Sequence, residues 1–204
     1  MNNAKKGLMI VISGPAGSGK GTVNAHLLST GDFVYSVSAT TRAPRPGEVD
    51  GVNYHYITKE EFQNRIDSGD MLEYTEYCGN FYGTPRKEAE EVLASGKNLI
   101  LEIEVEGAEN VKKKYPDAVL IMLLPPSFSI QEQRLRGRGT ETEEKIRLRL
   151  QRTREELRKA PVYDYVVYNR DRCDREAAEE IRSIVTAEQD SMRRNATVES
   201  DYFA

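Results

Sequence analysis

Residues 8–22 read LMIVISGPAGSGKGT. The apolar run Leu8–Ile12 has the length of a strand and no polar alternation, which is typical of a strand covered on both faces. Gly14, Gly19 and Lys20 then match the pattern G-x-x-x-x-G-K, and a helical pattern runs from about Lys20 to Ser29. Strand, glycine loop and helix in this order predict a loop whose backbone N–H groups and following helix N-terminus bind phosphate groups.

The loop itself predicts a nucleotide as the ligand, because Lys20 can reach the β and γ phosphates as a point charge. In most such loops the next residue is Ser or Thr and its hydroxyl binds Mg²⁺, but here Gly21 takes that place and Thr22 follows. The protein ligands of the metal are therefore left open, and phosphates and waters can hold the ion instead. The predicted nucleotide-binding residues of the loop are Gly14, Pro15, Ala16, Gly17, Ser18, Gly19, Lys20, Gly21 and Thr22.

Outward from this loop, apolar runs of strand length alternate with amphipathic helical patterns. Further strands are predicted at 98–105, 118–124 and 163–168, and further helices at 85–94, 106–115 and 174–190. This alternation predicts an α/β fold with a parallel sheet core and helices on both faces, and the glycine loop after the first strand indicates a core of the P-loop NTPase type.

Two segments interrupt the alternation. The first is rich in Tyr, Thr, Gly and Pro, with short strands at 53–57 and 71–77 and a helix opened by a capping box at Thr58 and Glu61. The second is an arginine-rich helical hairpin with a capping box at Thr140 and Glu143 and an apolar face formed by Ile146, Leu150 and Leu157. The predicted division is a core of residues 1–36, 85–126 and 160–190, an inserted mixed β lobe of residues 37–84, a helical lid of residues 127–159 and a flexible tail of residues 191–204.

Composition excludes several classes of protein. The chain has 204 residues, and 29 Lys and Arg against 33 Asp and Glu give a net charge of −4, so no overall positive field favours nucleic acid or an anionic membrane. No apolar run approaches the roughly 18 residues of a membrane span. The apolar run Leu8–Ile12 is shorter than the apolar region of a signal peptide, and Cys78 and Cys173 form no zinc or disulfide pattern, so a cytoplasmic protein with reduced thiols is expected.

Residues 36–48 read SVSATTRAPRPGE and combine hydroxyl groups, two arginines three residues apart and rigid prolines. Such a loop suits a dianionic phosphate, although a solvated basic loop would have a similar composition. The string is very close to the S-x-S-x-T-T-R-x-P-R-x-G-E signature of guanylate kinases. The chain resembles that family, in its bacterial type, from Leu8 to about Val185. The other stretches that carry the resemblance are Glu73, GNFYGT at 79–84, EIEVEG at 102–107 and GRGTETEE at 137–144.

The resemblance implies an acceptor site for GMP. It places Ser38, Arg42, Arg45, Tyr54 and Tyr82 at the GMP phosphate, and Glu73 and Thr84 at the guanine. The chemistry is consistent, because a carboxylate can accept hydrogen bonds from N1–H and the N2 amine of guanine, and the Thr84 hydroxyl can donate to O6. Adenine presents an acceptor where guanine has N1–H, so a site built in this way rejects it.

The resemblance also implies the acidic and cationic residues of the reaction. The resemblance places Glu102 and Glu104 near the acceptor and the waters of the metal. Glu102, Glu104 and Glu106 alternate with apolar residues, which predicts that all three point to one side of a strand. Glu106 occupies a position where the family is expected to have Gln. Arg134, Arg138 and Arg149 match lid positions, with Arg138 and Arg149 as the catalytic pair beside Lys20 and Arg42. Arg147, Arg152, Arg154 and Arg158 are interpreted as a solvated face. Asn169 lies near the adenine of ATP in the family.

The predicted function is transfer of the γ-phosphate of ATP to GMP, with Mg²⁺ and with neither nucleic acid nor a membrane as partner, in a monomer or small homo-oligomer. One alternative is a catalytically silent scaffold that holds a phosphorylated peptide in the lobe; the intact phosphate loop counts against it. Another is a related P-loop kinase with a different acceptor, against which Glu73 and Thr84 count.

Overall fold

The computed structural model describes residues 6–77, 79–137, 139 and 142–203. Within these ranges the chain forms nine strands and eight α-helices. The strands are β1 (Met9–Ser13), β2 (Phe33–Tyr35), β3 (Ala39–Thr40), β4 (His55–Tyr56), β5 (Met71–Tyr77), β6 (Asn80–Pro85), β7 (Asn98–Glu102), β8 (Val119–Leu124) and β9 (Tyr165–Tyr168). The helices are α1 (Lys20–Leu28), α2 (Lys59–Asp67), α3 (Arg86–Ala94), α4 (Val105–Lys114), α5 (Phe128–Gly137), α6 (Glu143–Arg158), α7 (Asp174–Gln189) and α8 (Val198–Tyr202).

The main sheet is parallel throughout, in the order β2-β7-β1-β8-β9. Its central strand β1 divides its side chains between two apolar clusters. Ile10 and Ile12 pack with helices α1 and α7 on one face, and Met9 and Val11 pack with α3 and α4 on the other. Helices therefore cover both faces, and the predicted α/β architecture is observed.

A second sheet, in the order β4-β3-β6-β5, forms the inserted lobe. It is mixed, because β3 pairs with β4 in parallel and with β6 antiparallel. Its small core centres on Phe62, whose ring stacks on Phe81 at 5.3 Å. Leu72 of β5 instead joins the apolar cluster of the main sheet, so this strand connects lobe and core. The capping box that opens α2 is present, since Thr58 Oγ1 accepts a hydrogen bond from the Glu61 N–H at 3.1 Å.

Helix α6 differs from its prediction in its N-cap and in one residue of its apolar face. Its N-cap is Thr142, whose side chain accepts from the Lys145 N–H, whereas the predicted cap Thr140 lies outside the described residues. Ile146 and Leu150 are buried as expected, but Leu157 is 40% exposed and Thr153 takes the third inward position. Ile146 and Leu150 pack against Leu135 of α5, and Thr153 accepts a hydrogen bond from Gln131 of the same helix.

The acidic strand predicted at 98–105 is wrong beyond Glu102. Strand β7 ends at Glu102, Glu104 is the N-cap of α4, and Glu106 lies in the first turn of that helix. Helix termini favour negative charge at their first turn, and this preference prevails over the alternation that suggested a strand. Asp174 is likewise the first residue of α7 rather than its cap, which is Cys173.

Two further observations concern the chain as a whole. The segment after α7 shows no periodicity, yet the structure forms α8 there, and Arg193 and Arg194 both contact Glu188 at 2.7 and 3.0 Å. None of the helices that the structure describes is both long and apolar enough to cross a bilayer.

Candidate active site

The loop of residues 14–22 connects β1 to α1 at the carboxyl end of the main sheet. Gly19 caps α1 with φ of 89°, and a Cβ atom at this position would lie 2.3 Å from Nδ2 of Asn169, so only glycine fits. Lys20 Nζ donates to the Gly14 carbonyl oxygen at 2.6 Å, so its ammonium lies over the mouth of the loop. The loop therefore has the conformation and the cation that the pattern predicts for phosphate binding.

A pocket of about 380 Å³ opens beside this loop and is lined by Gly17, Gly19, Arg134, Asn169, Asp171, Arg172 and Asp174. Arg134 donates to the carbonyl oxygen of Asn169 at 2.9 Å and to Asp171 at 2.7 Å. Asn169 is 1% exposed, and its Nδ2 donates to the Ser18 carbonyl oxygen and to Asp174, both at 2.9 Å. Its Oδ1 is buried without a hydrogen-bond partner among the described residues. Asn169 therefore lines the pocket with an amide whose oxygen still has unused accepting capacity.

The arginine segment of the lobe forms a compact site around Arg42. Arg42 contacts Glu48 through two N···O distances of 2.9 and 3.0 Å, and its guanidinium lies 5.5 Å from the ring centre of Tyr54 and 5.8 Å from that of Tyr56. Tyr82 packs edge-on against Tyr54 at 6.0 Å. The hydrogen bonds from Arg42 and from the Arg45 N–H lower the pKa of Glu48 to about 2, so this carboxylate stays charged and holds Arg42 beside the rings.

Two other residues predicted at this phosphate site have less contact with it. Ser38 is half-buried and its carbonyl oxygen accepts from the His55 N–H at 2.9 Å, which places it next to Tyr54. Arg45 is exposed, at the rim of the loop. The structure therefore brings Arg42, Tyr54 and Tyr82 together with Ser38 adjacent, and leaves the Arg45 side chain at the edge.

Glu73 is the most buried of the charged residues that the sequence singled out, at 2% exposure. It lies opposite Thr84 in the β5–β6 pair, and the Thr84 hydroxyl donates to Glu73 Oε1 at 2.8 Å. The other oxygen, Oε2, faces Gly107 at the start of α4, where an added Cβ would stand 3.2 Å away. Burial raises the pKa of Glu73 to about 7, although the hydrogen bonds from Thr84 and the charge of Lys114 partly oppose the shift.

The Thr84 geometry bears on its predicted role. Its single proton goes to Glu73, so in this arrangement it is not available for O6 of a guanine. The hydroxyl instead orients the carboxylate, a role that sequence reasoning did not identify.

The acidic residues at the end of β7 separate into two environments. Glu102 is half-buried, and its Oε2 accepts from Nδ2 of Asn24 at 2.7 Å and from the Tyr35 hydroxyl at 3.4 Å. Glu104 is exposed and lies 3.9 Å from Arg152 of α6, which was interpreted as part of a solvated face. Asn24 was missed by the sequence reasoning, although an asparagine between Val23 and Leu27 on the buried face of a helix is a recognisable signal.

The predicted lid arginines are distributed along the hairpin of α5 and α6. Arg134 of α5 reaches the phosphate loop, with its guanidinium 3.3 Å from the Gly17 carbonyl oxygen. Arg149 is exposed on α6, and Arg138 lies outside the described residues. Within the part of the chain that the structure describes, no group of three or more His, Cys, Asp and Glu side chains could hold a metal ion by itself.

Comparisons with known proteins agree with this arrangement. The guanylate kinase family model matches residues 6–188. A guanylate kinase of Streptococcus thermophilus is 50% identical over 187 residues, which are 91% of this chain and 88% of the relative. One of Lactiplantibacillus plantarum is 47% identical over 193 residues, 94% of this chain and 93% of the relative.

A crystal structure of guanylate kinase from Anaplasma phagocytophilum superimposes with a TM-score of 0.75 at 34% identity, covering 93% of this chain and 90% of that one. The predicted fold and the predicted resemblance are both confirmed by these matches. The chain therefore belongs to the guanylate kinase family.

Proposed function

We propose that the residues described above carry out the activity of this family, transfer of the γ-phosphate of ATP to GMP. An oxygen of the GMP phosphate attacks the γ phosphorus, the bond to the β–γ bridging oxygen breaks, and ADP and GDP are the products. The attacking phosphate is already an anion near neutral pH, so the step needs no general base. The observation that carries the choice of acceptor is the buried carboxylate of Glu73.

Glu73 identifies the base of the acceptor. Its carboxylate can accept from N1–H and the N2 amine of guanine, and Thr84 keeps the group oriented by donating to Oε1. Adenine would face the same carboxylate with an acceptor nitrogen, leaving a buried charge unpaired. Sites of this kind discriminate by roughly 10⁴-fold or more, because the mismatched polar groups lose their partners.

The phosphate of GMP is bound by Arg42, with Tyr54, Tyr82 and Ser38 as hydroxyl donors and Arg45 at the rim. Glu48 holds the guanidinium of Arg42 beside the rings of Tyr54 and Tyr56 before the nucleotide binds, so little side-chain entropy of Arg42 is lost on binding. Glu102, fixed by Asn24 and Tyr35, lies on the side of the acceptor that faces the phosphate loop.

ATP occupies the phosphate loop and the pocket beside it. The free Oδ1 of Asn169 is a partner for the exocyclic amine of adenine, and Arg134 lies at the same pocket. Lys20 and Arg149 supply positive charge to the transferred group, a role also proposed for Arg138, which lies outside the described residues. The proposed division is a core of residues 1–36, 85–126 and 160–190, a lobe of residues 37–84 and a lid of residues 127–159. Closure of the lobe and the lid over the core would align the two nucleotides and exclude water.

Mg²⁺ is proposed as the metal that neutralises charge on the donor phosphates. Position 21 supplies no side-chain ligand, because Gly21 has no hydroxyl or other donor group beyond its backbone. The residues present fit an ion held by phosphate oxygens and waters, with Glu102 and Glu104 as the acceptors for those waters.

Removal of Mg²⁺ with EDTA is expected to abolish turnover while the dissociation constant of GMP, measured by calorimetry, changes by less than about twofold. The reason is that Glu73 and Arg42 need no metal to bind the acceptor. A parallel loss of GMP affinity would contradict this assignment.

The affinity for GMP is expected to fall about tenfold per pH unit below about pH 7. Glu73 must be ionised to accept two hydrogen bonds, and burial raises its pKa to about 7, so the protonated form dominates below that value and must lose its proton on binding. Calorimetric titration of GMP between pH 5.5 and 8 measures the slope.

The matched control for the pH series is Glu73→Gln, which cannot titrate. The GMP phosphate itself gains a proton near pH 6, and this contribution remains in the variant. Identical slopes in the wild-type protein and the variant would show that Glu73 is not the titrating group.

A coupled ADP-release assay with GMP, AMP, CMP and UMP tests the function. GMP as the best acceptor supports it, turnover of none of them supports a scaffold, and a preference for AMP rejects the role of Glu73. The remaining predictions from the sequence are a monomer or small homo-oligomer, no nucleic acid or membrane partner, and a cytoplasmic location.

A further inference from the structure

Three consecutive carbonyl groups of the phosphate loop are held from outside by side chains. The Ala16 oxygen accepts from Gln131 Nε2 at 2.9 Å, the Gly17 oxygen from Arg134 at 3.3 Å, and the Ser18 oxygen from Asn169 at 2.9 Å. In a trans peptide the carbonyl and the following N–H point in opposite directions. A carbonyl of residue 16 fixed outward therefore turns the N–H of residue 17 toward the interior of the loop, where phosphate oxygens bind.

Gln131 is a glutamine in an apolar position. It is 1% exposed on α5, and its neighbour one turn later, Leu135, belongs to the core of the lid. The carbonyl oxygen of Ala16 can only accept, so the amide atom that faces it must be the nitrogen. The side-chain orientation therefore follows from chemistry.

The second hydrogen of the Gln131 amide is also used. Nε2 donates to Thr153 Oγ1 of α6 at 2.8 Å, and the Thr153 hydroxyl donates to the Arg149 carbonyl oxygen at 3.0 Å. Gln131 and Thr153 are 1% and 3% exposed, so the hydrogen bond between them is buried, and the bonds to Ala16 and Arg149 are partly buried. A buried network with each donor satisfied is rigid. This one joins the phosphate loop to the backbone of the residue that carries a proposed catalytic guanidinium.

The packing around the network is equally close. Leu135, Ile146 and Leu150 form the lid core, and Ala16 of the phosphate loop packs against them. A Cβ at position 17 would lie 3.4 Å from the Gln131 carbonyl oxygen, so α5 lies directly on the loop.

We propose that Gln131 is a positioning residue for ATP: its amide holds the peptide between residues 16 and 17 so that the Gly17 N–H faces the nucleotide phosphates. The same amide, through Thr153, sets the helix of Arg149 against the loop. This inference rests on the proposed function for the identity of the nucleotide, and it adds a role for a side chain that touches neither substrate.

Gln131→Met removes both donors at nearly constant volume. The KM and the dissociation constant of ATP are expected to rise about tenfold, because the loop loses an oriented N–H, while the dissociation constant of GMP changes by less than about twofold. Steady-state kinetics with each substrate varied and calorimetry with ATP alone and GMP alone give these values. Gln133→Met makes the same substitution at an exposed position of the same helix and should change none of them.

Gln131→Glu should make ATP affinity depend on pH in a way that a purely structural role of Gln131 would not produce. At pH 8 its carboxylate can only accept and faces the Ala16 oxygen, so ATP binding should weaken more than in Gln131→Met. On lowering the pH the carboxyl gains a proton that it can donate, and ATP affinity relative to the wild-type protein should recover. Recovery supports the proposal, and a ratio that stays constant with pH overturns it.

If Gln131→Met does not fold, the double variant Gln131→Leu with Thr153→Val replaces the polar pair by an apolar one and keeps the lid core filled. It should show the same selective loss of ATP affinity. Unchanged ATP affinity, or equal losses for ATP and GMP, would overturn the proposal. Calorimetry with ATP does not depend on the acceptor, so a wild-type protein that fails to phosphorylate GMP would refute the proposed function separately.

Discussion

Lys20→Ala is expected to lower kcat for GMP by roughly 10³-fold. The ammonium of Lys20 lies at the mouth of the phosphate loop, where Nζ donates to the Gly14 carbonyl oxygen at 2.6 Å. Charge builds up on the oxygens of the moving phosphoryl group, and this cation is the one that the loop itself brings to them. The measurement is kcat at saturating ATP and GMP in the ADP-release assay.

Two controls test whether the loss of kcat in Lys20→Ala comes from the missing charge. GMP binding to Lys20→Ala, measured by calorimetry, should match the wild-type protein, because Lys20 lies on the donor side. Lys20→Arg keeps the charge but not the compact ammonium, and should recover only part of the rate. A kcat within about tenfold of the wild-type value in Lys20→Ala would place the main charge stabilisation elsewhere in the site.

Glu73→Gln is expected to reduce kcat/KM for GMP by about 10³-fold while the slow turnover of AMP changes little. An amide that keeps its oxygen toward Thr84 turns an NH₂ group toward guanine, where two donors then face each other. The opposite orientation leaves one of the two guanine donors without a partner. Measuring kcat/KM for GMP and AMP in parallel separates base recognition from general damage, since equal losses on both would contradict the assignment.

Loss of folding does not explain the expected effect of Glu73→Gln. Burial raises the pKa of Glu73 from 4.5 to about 7, so the folded state favours the protonated acid. The free energy of unfolding therefore falls as the pH rises from about 4.5 through about 7, where the wild-type protein must hold a buried charge. At pH 8 the variant should be at least as stable as the wild-type protein, and urea unfolding of both provides the check.

The proposed GMP-binding half of the site illustrates why function tolerates such a cost. A carboxylate that is buried at 2% exposure is unfavourable for the fold and selective for a base that presents two donors. Glu48 shows the opposite situation, since two arginine contacts lower its pKa to about 2 and the charge is retained at every ordinary pH. In the proposed site, one carboxylate identifies the base, and the other orients the arginine for the phosphate.

Elements with strong local patterns were predictable. The run from Leu8 to Ile12 and the glycine loop after it gave the first strand, the loop and the helix to within a residue, because their hydrophobic period and glycine positions leave few alternatives. The capping box at Thr58 was equally local. Strands β2, β3 and β6 were not predicted, since two to six residues carry too little periodicity of their own to indicate a strand.

The sequence predictions that were wrong also have physical causes. Glu104 and Glu106 alternate with apolar residues, a pattern typical of a strand. Both residues instead lie at the N-terminus of α4, where the helix dipole stabilises negative charge. Arg152 has the sequence surroundings of a solvated residue, and only the approach of α6 to the end of β7 brings it to Glu104.

From its sequence alone, this chain determines its α/β core, its phosphate loop, its membership of a kinase family and the residue types that such a family needs. Three contacts were decided by tertiary structure alone. The Thr84 hydroxyl donates its hydrogen bond to Glu73, and Asn24 and Tyr35 donate to Glu102. Gln131 contacts the phosphate loop from a helix more than a hundred residues away in the chain. Local patterns follow from the period of a helix or strand and from turn chemistry. Hydrogen bonds between distant segments depend on how the layers pack, and that information is absent from any window of neighbouring residues.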